Sequence, residues 1–300
     1  MSTELIQRID DLKTERGAVI LAHNYQLPEV QDIADFTGDS LELSRKAAAT
    51  DAKLIVFCGV HFMAETAKIL SPDKTVLIPD PKAGCPMADM IDAKGLREFK
   101  ALHPGVPVVA YVNTSAEVKA ESTICCTSAN AVRVVESVDS DTVLFVPDKS
   151  LAMYVQSKVT KNVIPYSGYC PTHHRILAQD VITAKREHPG AVVVAHPECT
   201  LDVLALADGI ESTSGMLRYV RESTANEFIV CTERGLLHRL KLENPDKVFH
   251  NPSPLNICPN MKKITLEKVL WSLEDMRYEI QLSPDIIDKA RHAIEGMIAI

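Results

Sequence analysis

The 300-residue sequence lacks several features that would place it in a specialised class of protein. It has no apolar run of 18 residues and no signal peptide, which predicts a cytoplasmic protein that does not bind membranes. Its net charge of −8 lacks the positive excess of nucleic-acid-binding proteins, so we expect no nucleic acid partner. It has no low-complexity segment or flexible linker. With 46% hydrophobic and 24% charged residues, it has the composition of an ordinary globular protein.

The eight cysteines lack the spacing of a structural zinc site. Three of them, Cys85, Cys170 and Cys258, precede proline and lie 85 and 88 residues apart. Zinc usually takes ligands from close pairs of cysteines, and none of these three has such a partner. One such cysteine alone would be interpreted as a small buried residue before a turn. The remaining five are predicted to be mostly buried thiols: Cys58, Cys125, Cys126, Cys199 and Cys231.

The chain repeats itself three times. Three sets of landmarks share intervals of 88 and 85 residues: Gly17, Gly105 and Gly190; Phe57, Phe145 and Val230; and Ser40, Ser128 and Thr213. Each glycine follows an amphipathic segment and is predicted to end a helix with φ > 0. The period is too long for a solenoid. We therefore predict three small domains over residues 1–88, 89–174 and 175–300, the last with additional closing helices.

Short apolar segments such as VPVVAYV and AVVVAH alternate with helical segments such as SLELSRKAAA. This alternation predicts parallel βαβ units with helices on both faces of each sheet. Each unit is expected to contain a helix, a strand, a helix, a strand, a helix and a short strand, followed by the Cys-Pro loop. The predicted fold class is α/β, with three repeated three-layer αβα domains and short parallel sheets around a pseudo-threefold axis. Two further helices, ITLEKVLWSLEDM and one capped by Ser283 and Pro284, are expected to close the ring.

One cysteine per repeat changes the interpretation of these thiols. Three distant loops suit a bulky iron–sulfur cluster better than a zinc ion. A [4Fe–4S] cluster normally has four thiolate ligands, so three would leave one iron open to act as a Lewis acid.

The repeat also predicts a binding pocket. Two sets of polar residues follow the first strand of each unit: His23, Tyr111 and His196, and then Tyr25, Asn113 and Glu198. Ligands bind at the carboxyl ends of parallel strands. The hydroxyl residues Ser40, Ser128 and Thr213 begin the neighbouring helices, where free N–H groups favour anions. Each alone is interpreted as a helix N-cap, whereas the set indicates a site for a small ligand with several carboxylates or phosphates.

Eight segments, taken in order, resemble the quinolinate synthase family (quinolinate synthetase A): LAHNYQLPEVQDIADFTGDSLELSRKA, GVHFMAETAKIL, CPMADM, YVNTSAEVKA, TSANAV, HPEC, STSGM and CPNMKK. The resemblance implies three αβα domains and one [4Fe–4S] cluster. It also implies condensation of iminoaspartate with dihydroxyacetone phosphate to quinolinate, with loss of phosphate and two waters, in NAD biosynthesis. The enzyme that produces iminoaspartate is a candidate protein partner.

The family's motifs place functional roles on particular residues. The implied cluster ligands are Cys85, Cys170 and Cys258. The implied substrate contacts are His23, Ser40, Tyr111, Asn113, Ser128, His196, Glu198 and Thr213. For proton transfer we select Tyr25 and Glu198, with His23 and His196 as further candidates. His173 and His174 are weaker candidates, because both could be surface histidines.

Two other functions remain open at this stage. An iron–sulfur hydro-lyase would use the same open iron but would need no phosphate site and no second substrate. An electron carrier or sensor would gain nothing from an open iron or a polar pocket, and would be expected to supply a fourth ligand.

Overall fold

The computed structural model describes residues 2–300 and contains three four-stranded sheets, each entirely parallel. The strands of the first sheet are β1 (Ala18–His23), β2 (Phe36–Gly38), β3 (Leu54–Cys58) and β4 (Thr75–Leu77). Its helices are α1 (Ser2–Arg16), α2 (Pro28–Asp32), α3 (Ser40–Ala49) and α4 (His61–Leu70). The strand order is β2-β1-β3-β4.

The second sheet has the equivalent order β6-β5-β7-β8. Its strands are β5 (Val108–Tyr111), β6 (Ile124–Cys126), β7 (Thr142–Val146) and β8 (Asn162–Pro165). Its helices are α5 (Ala93–Ala101), α6 (Ala116–Ala120), α7 (Ala131–Ser137) and α8 (Lys149–Gln156).

The third sheet repeats this order as β10-β9-β11-β12. Its strands are β9 (Val192–Ala195), β10 (Gly209–Ile210), β11 (Glu227–Cys231) and β12 (Val248–His250). Its helices are α9 (Ala178–Glu187), α10 (Leu201–Leu204), α11 (Thr213–Glu222) and α12 (Leu236–Glu243). The predicted fold class is confirmed, while the domain boundaries stay a prediction.

The central strands form because their apolar runs can be buried on both faces. In β3, the sequence LIVFC is buried at every position. The prediction of three strands per unit was wrong, because each sheet has a fourth strand at its edge. These edge strands, β2, β6 and β10, have only two or three residues, too few for a periodic pattern to reveal.

The predicted helix-ending glycines differ among the repeats. Gly17 directly follows α1 and has φ +58°, as expected for a left-handed helix terminus. Gly105 has φ +77°, but it lies in a turn four residues beyond the end of α5. Gly190 does not adopt a positive φ. The prediction is therefore confirmed only at Gly17, because the other two helices end earlier than their sequences suggested.

The C-terminal segment contacts the first two sheets. It contains α13 (Leu266–Asp275) and α14 (Pro284–Ala299), and Ser283 caps α14 by accepting from the Ile286 N–H, as predicted. The segment between these helices bonds to the edge strand β4 through the Ile280 N–H and the Val76 carbonyl, 2.8 Å apart. The Asn130 side chain donates to the Met297 carbonyl at the other end, 2.9 Å away. No helix within residues 2–300 is long and apolar enough to cross a membrane.

Candidate active site

One cavity brings together all the residues that the sequence singled out as cluster ligands, substrate contacts or main candidates for proton transfer. These residues are His23, Tyr25, Ser40, Cys85, Tyr111, Asn113, Ser128, Cys170, His196, Glu198, Thr213 and Cys258. The space inside it is about 670 Å³, including its opening to solvent.

The cavity lies at the carboxyl ends of the first strand of each sheet. His23 and Tyr111 are the last residues of β1 and β5, and His196 directly follows β9. Because parallel strands direct their carboxyl ends to one edge, three equivalent strands place three polar side chains around one space. The repeat in the sequence is thus expressed as a pseudo-threefold arrangement of polar groups.

Neighbouring residues, and not the three hydroxyl residues, occupy the N-cap positions of the helices. The Asp39 carboxylate accepts from the N–H groups of Leu41 and Glu42 at the start of α3. Ser212 accepts from the Gly215 N–H in the same way at the start of α11. In the second repeat Asn130, two residues after Ser128, is the N-cap of α7. The interpretation of Ser40, Ser128 and Thr213 as ordinary N-caps is therefore wrong.

Polar partners fix several of these side chains in the cavity. The Asn24 amide donates to the Thr213 hydroxyl at 2.9 Å. The Ser128 hydroxyl lies 3.2 Å from His196 Nε2. In contrast, the buried amide oxygen of Asn113 has no hydrogen-bond partner in the protein. Buried polar atoms are nearly always paired, so this oxygen is available to a ligand donor.

Glu198 is the centre of a buried hydrogen-bond network. Tyr111 donates its hydroxyl to Glu198 Oε1 at 2.5 Å, and His173 Nδ1 lies 2.6 Å from Oε2. The other nitrogen of His173 is 2.9 Å from the Thr232 hydroxyl, which lies 2.5 Å from the Tyr25 hydroxyl. A continuous path for protons therefore joins Tyr111 to Tyr25 through Glu198 and His173.

The electrostatics assign protonation states to this network. Burial alone would raise the pKa of Glu198, but the charge of His173 and the hydrogen bonds from His173 and Tyr111 lower it. Burial and the nearby Glu198 carboxylate raise the pKa of Tyr25 and of Tyr111 well above 10. Glu198 is thus an ionised acceptor between two phenols that remain donors.

The two histidines at the strand ends are neutral. Burial lowers the pKa of His23 to about 3, and Lys262 adds to the effect. Burial likewise lowers the pKa of His196 to about 3, against the opposing influence of Glu198. At neutral pH each ring therefore offers one N–H donor and one acceptor nitrogen rather than a positive charge.

His173 is more important to the site than the sequence suggested. It is only 1% exposed, lines the cavity and stacks on His196 with ring centroids 4.6 Å apart. His174 instead lies outside the cavity lining, 2.8 Å from the Ser150 hydroxyl. The interpretation of His173 as a surface histidine is therefore wrong. Three residues after the other two Cys-Pro cysteines, the equivalent positions hold the buried apolar residues Ala88 and Met261. A histidine at a position that is apolar in the other repeats was the feature of the sequence that could have revealed the role of His173.

The three Cys-Pro loops have the same local geometry. Each leads into a 3₁₀ turn that begins three residues after the cysteine: Ala88–Met90, His173–Arg175 and Met261–Lys263. Burial raises the pKa of each of these cysteines, and backbone N–H groups of each turn partly oppose that rise. N–H groups directed at sulfur favour the thiolate, which is the form that binds metals.

The cysteine residues fit an iron–sulfur cluster. Cys85, Cys170 and Cys258 all face the cavity, while the other five cysteines are fully buried and do not line it. Burial raises the pKa of Cys85 to about 12 and also raises those of Cys170 and Cys258. The free thiols are thus protonated, and binding a metal must displace their protons. Donor atoms of Cys170, His173 and Glu198 also lie within 4.8 Å of one another, close enough for a single metal ion. However, this set would leave two equivalent cysteines unused.

Buried carboxylates lie behind two of the cysteine loops. Glu233 Oε1 accepts from the backbone N–H of Cys258 at 3.2 Å, and the same oxygen is 3.0 Å from the Lys262 ammonium. At the equivalent position of the second repeat, the side chain of Asp148 accepts from the backbone N–H of Cys170. Burial and the charge of Glu198 raise the pKa of Asp148 well above its ordinary value, and this hydrogen bond opposes the rise. The first repeat has Val60 there instead. Sequence reasoning missed both acidic residues.

Comparison with known proteins places the chain in a family. A family model described as quinolinate synthetase A protein matches residues 7–299. A quinolinate synthase from Dehalococcoides mccartyi is 59% identical over 301 residues, covering 100% of both chains. Quinolinate synthase 1 from Methanosarcina acetivorans is 55% identical over 297 residues, covering 99% of this chain and 98% of the relative. These matches confirm the resemblance seen in the motifs. The chain belongs to the quinolinate synthetase A family.

Proposed function

We propose that this protein is a quinolinate synthase that condenses iminoaspartate with dihydroxyacetone phosphate, releasing phosphate and two waters. Family membership over nearly the whole chain supports this activity. The observation that carries the assignment is the single cavity in which three cysteines, three helix starts and the Glu198 network meet. Such a site combines metal, anion and proton-transfer groups, all of which this condensation requires.

We assign the [4Fe–4S] cluster to Cys85, Cys170 and Cys258. When bound, the cluster would supply an iron with an open position that acts as a Lewis acid. A fourth thiolate is not available from the cavity wall, because no other cysteine of residues 2–300 lines it. This arrangement favours an enzyme over an electron carrier.

The anionic groups of the substrates are assigned to the helix starts. The residues Ser40, Ser128 and Thr213 line the cavity near the starts of α3, α7 and α11, where a hydroxyl donor and the positive end of a helix dipole favour carboxylates and phosphates. Neutral His23 and His196 would complete the hydrogen bonds without adding charge. Asn113 would accept a donor such as a substrate N–H through its unpaired oxygen.

Proton transfer is assigned to the network around Glu198. The condensation must remove protons from carbon and nitrogen and deliver them to departing oxygens. Glu198 can accept a proton because it is ionised, and Tyr25 can donate one from the other end of the path. His173 joins the two through its two ring nitrogens.

The direct test is synthesis of the product. Anaerobic protein with a full cluster is incubated with iminoaspartate and dihydroxyacetone phosphate, and pyridine dicarboxylate and phosphate are measured. Formation of both in equal amounts is expected. Hydroxy-acid dehydration without pyridine formation would contradict the proposal and favour an iron–sulfur hydro-lyase.

Removal of the hydroxyls should weaken substrate binding. Ser128→Ala and Thr213→Ala each delete one hydrogen bond to a charged group, worth roughly 1.5–3 kcal/mol. KM should therefore rise about ten- to a hundredfold, with iron and sulfide content unchanged. Ser157→Ala, at the exposed end of α8, is the matched control. Unchanged steady-state kinetics in both variants would mean that these hydroxyls do not contact substrate.

Loss of the Glu233 charge should loosen the third cysteine loop. Glu233→Gln removes the carboxylate that binds the Cys258 N–H and leaves the Lys262 ammonium without its ion-pair partner. Breaking a buried pair in this way costs about 3–5 kcal/mol. We expect less iron and sulfide per chain and faster cluster loss in air. The exposed Glu274→Gln is the control, and a variant that holds its cluster like the control would show that Glu233 does not support the loop.

A further inference from the structure

A second group of metal-binding side chains lies on the third sheet, outside the cavity. His188 directly follows α9, Glu227 is the first residue of β11, and His250 is the last residue of β12. Glu227 lies about 13 Å along β11 from the carboxyl end of that strand, and the cavity lies beyond that end. None of the three residues lines the cavity. The group is therefore separate from the proposed catalytic site.

The three side chains converge on one carboxylate oxygen. Glu227 Oε1 is 2.9 Å from His188 Nδ1 and 2.8 Å from His250 Nε2. All three potential ligand atoms lie within 4.8 Å of one another. Zinc binds nitrogen and oxygen ligands at about 2.0–2.2 Å in a tetrahedron, which separates neighbouring ligand atoms by roughly 3.3 Å. The ligand atoms are therefore at about the spacing that a zinc ion requires.

The two imidazoles stack in this arrangement, with ring centroids 3.5 Å apart and planes inclined by 18°. An imidazole nitrogen binds a metal in the plane of its ring, so one ring must rotate out of the stack before both rings can bind the same ion. Both side chains are partly exposed, which leaves room for that rotation. The bound divalent cation would then neutralise the Glu227 carboxylate.

The surroundings leave room for solvent ligands. The side chains of His188, Glu227 and His250 are 30%, 36% and 24% exposed. A surface groove beside the histidines includes Asp180 and Glu187, whose negative charges favour a cation. A site of this kind has three protein ligands and keeps a coordination position for water.

We propose that His188, Glu227 and His250 form a second metal site that binds a divalent transition-metal ion, with zinc as the best match. Two histidines and one glutamate are a ligand set that zinc uses in proteins. The ion would join the end of α9 to β11 and β12, and it would stabilise the third sheet against unfolding. This inference does not depend on the proposed catalytic activity.

Zinc binding to the cluster-loaded protein tests the proposal. The anaerobic protein is dialysed against buffered free Zn²⁺, and bound zinc is measured by elemental analysis together with iron. The wild type should bind one more zinc ion per chain than the double variant His188→Ala/His250→Ala does. The iron content of the two proteins should be equal. Each single variant should bind at least about tenfold more weakly. His292→Ala, an exposed histidine on α14, is the control and should bind zinc as the wild type does.

Thermal unfolding provides a second measurement. Zinc should raise the Tm of the wild type and of His292→Ala, but not that of the double variant. Quinolinate formation without added zinc should be equal in all of these proteins. Equal zinc uptake in the wild type and the double variant would overturn the proposal and leave the three residues as an ion-pair network only. If the wild type bound zinc as predicted but formed no quinolinate, that result would contradict the proposed function and would leave this inference intact.

Discussion

Replacement of Cys85, Cys170 or Cys258 by alanine is expected to abolish both the iron–sulfur cluster and quinolinate formation. Within residues 2–300, each of these residues is the only cysteine of its repeat that faces the cavity, so no neighbouring thiol can take its place. Each variant would leave two cysteine ligands in place of three, so the cluster would have one bond fewer to the protein. Iron and acid-labile sulfide, measured on anaerobically purified protein, should both fall to background in each variant.

Cys58→Ala is the matched control for these substitutions. Cys58 is the last residue of β3, is fully buried and does not line the cavity. Burial raises the pKa of its thiol beyond the usual range, as expected for a core residue that binds nothing. This variant should keep its cluster and activity. A full cluster in any of the three cavity variants would remove that cysteine from the ligand set.

The residues of the cavity could be predicted from the sequence because residues at equivalent positions of the repeat occupy equivalent places in the three sheets. Residues at equal offsets, such as His23, Tyr111 and His196, occupy equivalent strand ends. Parallel sheets direct all such ends to one side. Twelve residues that are far apart in the chain could therefore be placed in one cavity without knowledge of the packing.

The same argument could not predict residues that break the repeat. His173 replaces the apolar residues found at Ala88 and Met261, so the repeat gave it no equivalent and it was only a weaker candidate for proton transfer. Its importance comes from a contact with Glu198, whose position depends on how the second and third sheets pack. Glu233 and Asp148 were missed for a related reason, since their partners are backbone N–H groups of the cysteine loops. Contacts of this kind depend on how side chains pack against loops and neighbouring sheets, and no offset in the sequence encodes them.

Loss of the Glu198 charge is expected to stop proton transfer while the site keeps its shape. Glu198→Gln retains the size of the side chain but removes the ionised acceptor between Tyr111 and His173. General acid–base catalysis contributes about 10²- to 10⁴-fold to a rate, so kcat should fall by that factor. The effect should be larger on kcat than on KM, because substrate anions are assigned to the helix starts.

The measurement combines steady-state kinetics with cluster analysis on the same preparation. Glu198→Gln should contain as much iron and sulfide as the wild type, since Glu198 is not a proposed cluster ligand. Glu136→Gln, an exposed residue of α7, is the control for loss of one negative charge. His173 would keep its hydrogen bond to Thr232 in the variant, so Tyr25 would remain in place. A kcat within threefold of the wild type would show that protons reach the substrate by another path. Loss of the cluster would instead identify Glu198 as part of the metal site, as its closeness to Cys170 and His173 permits.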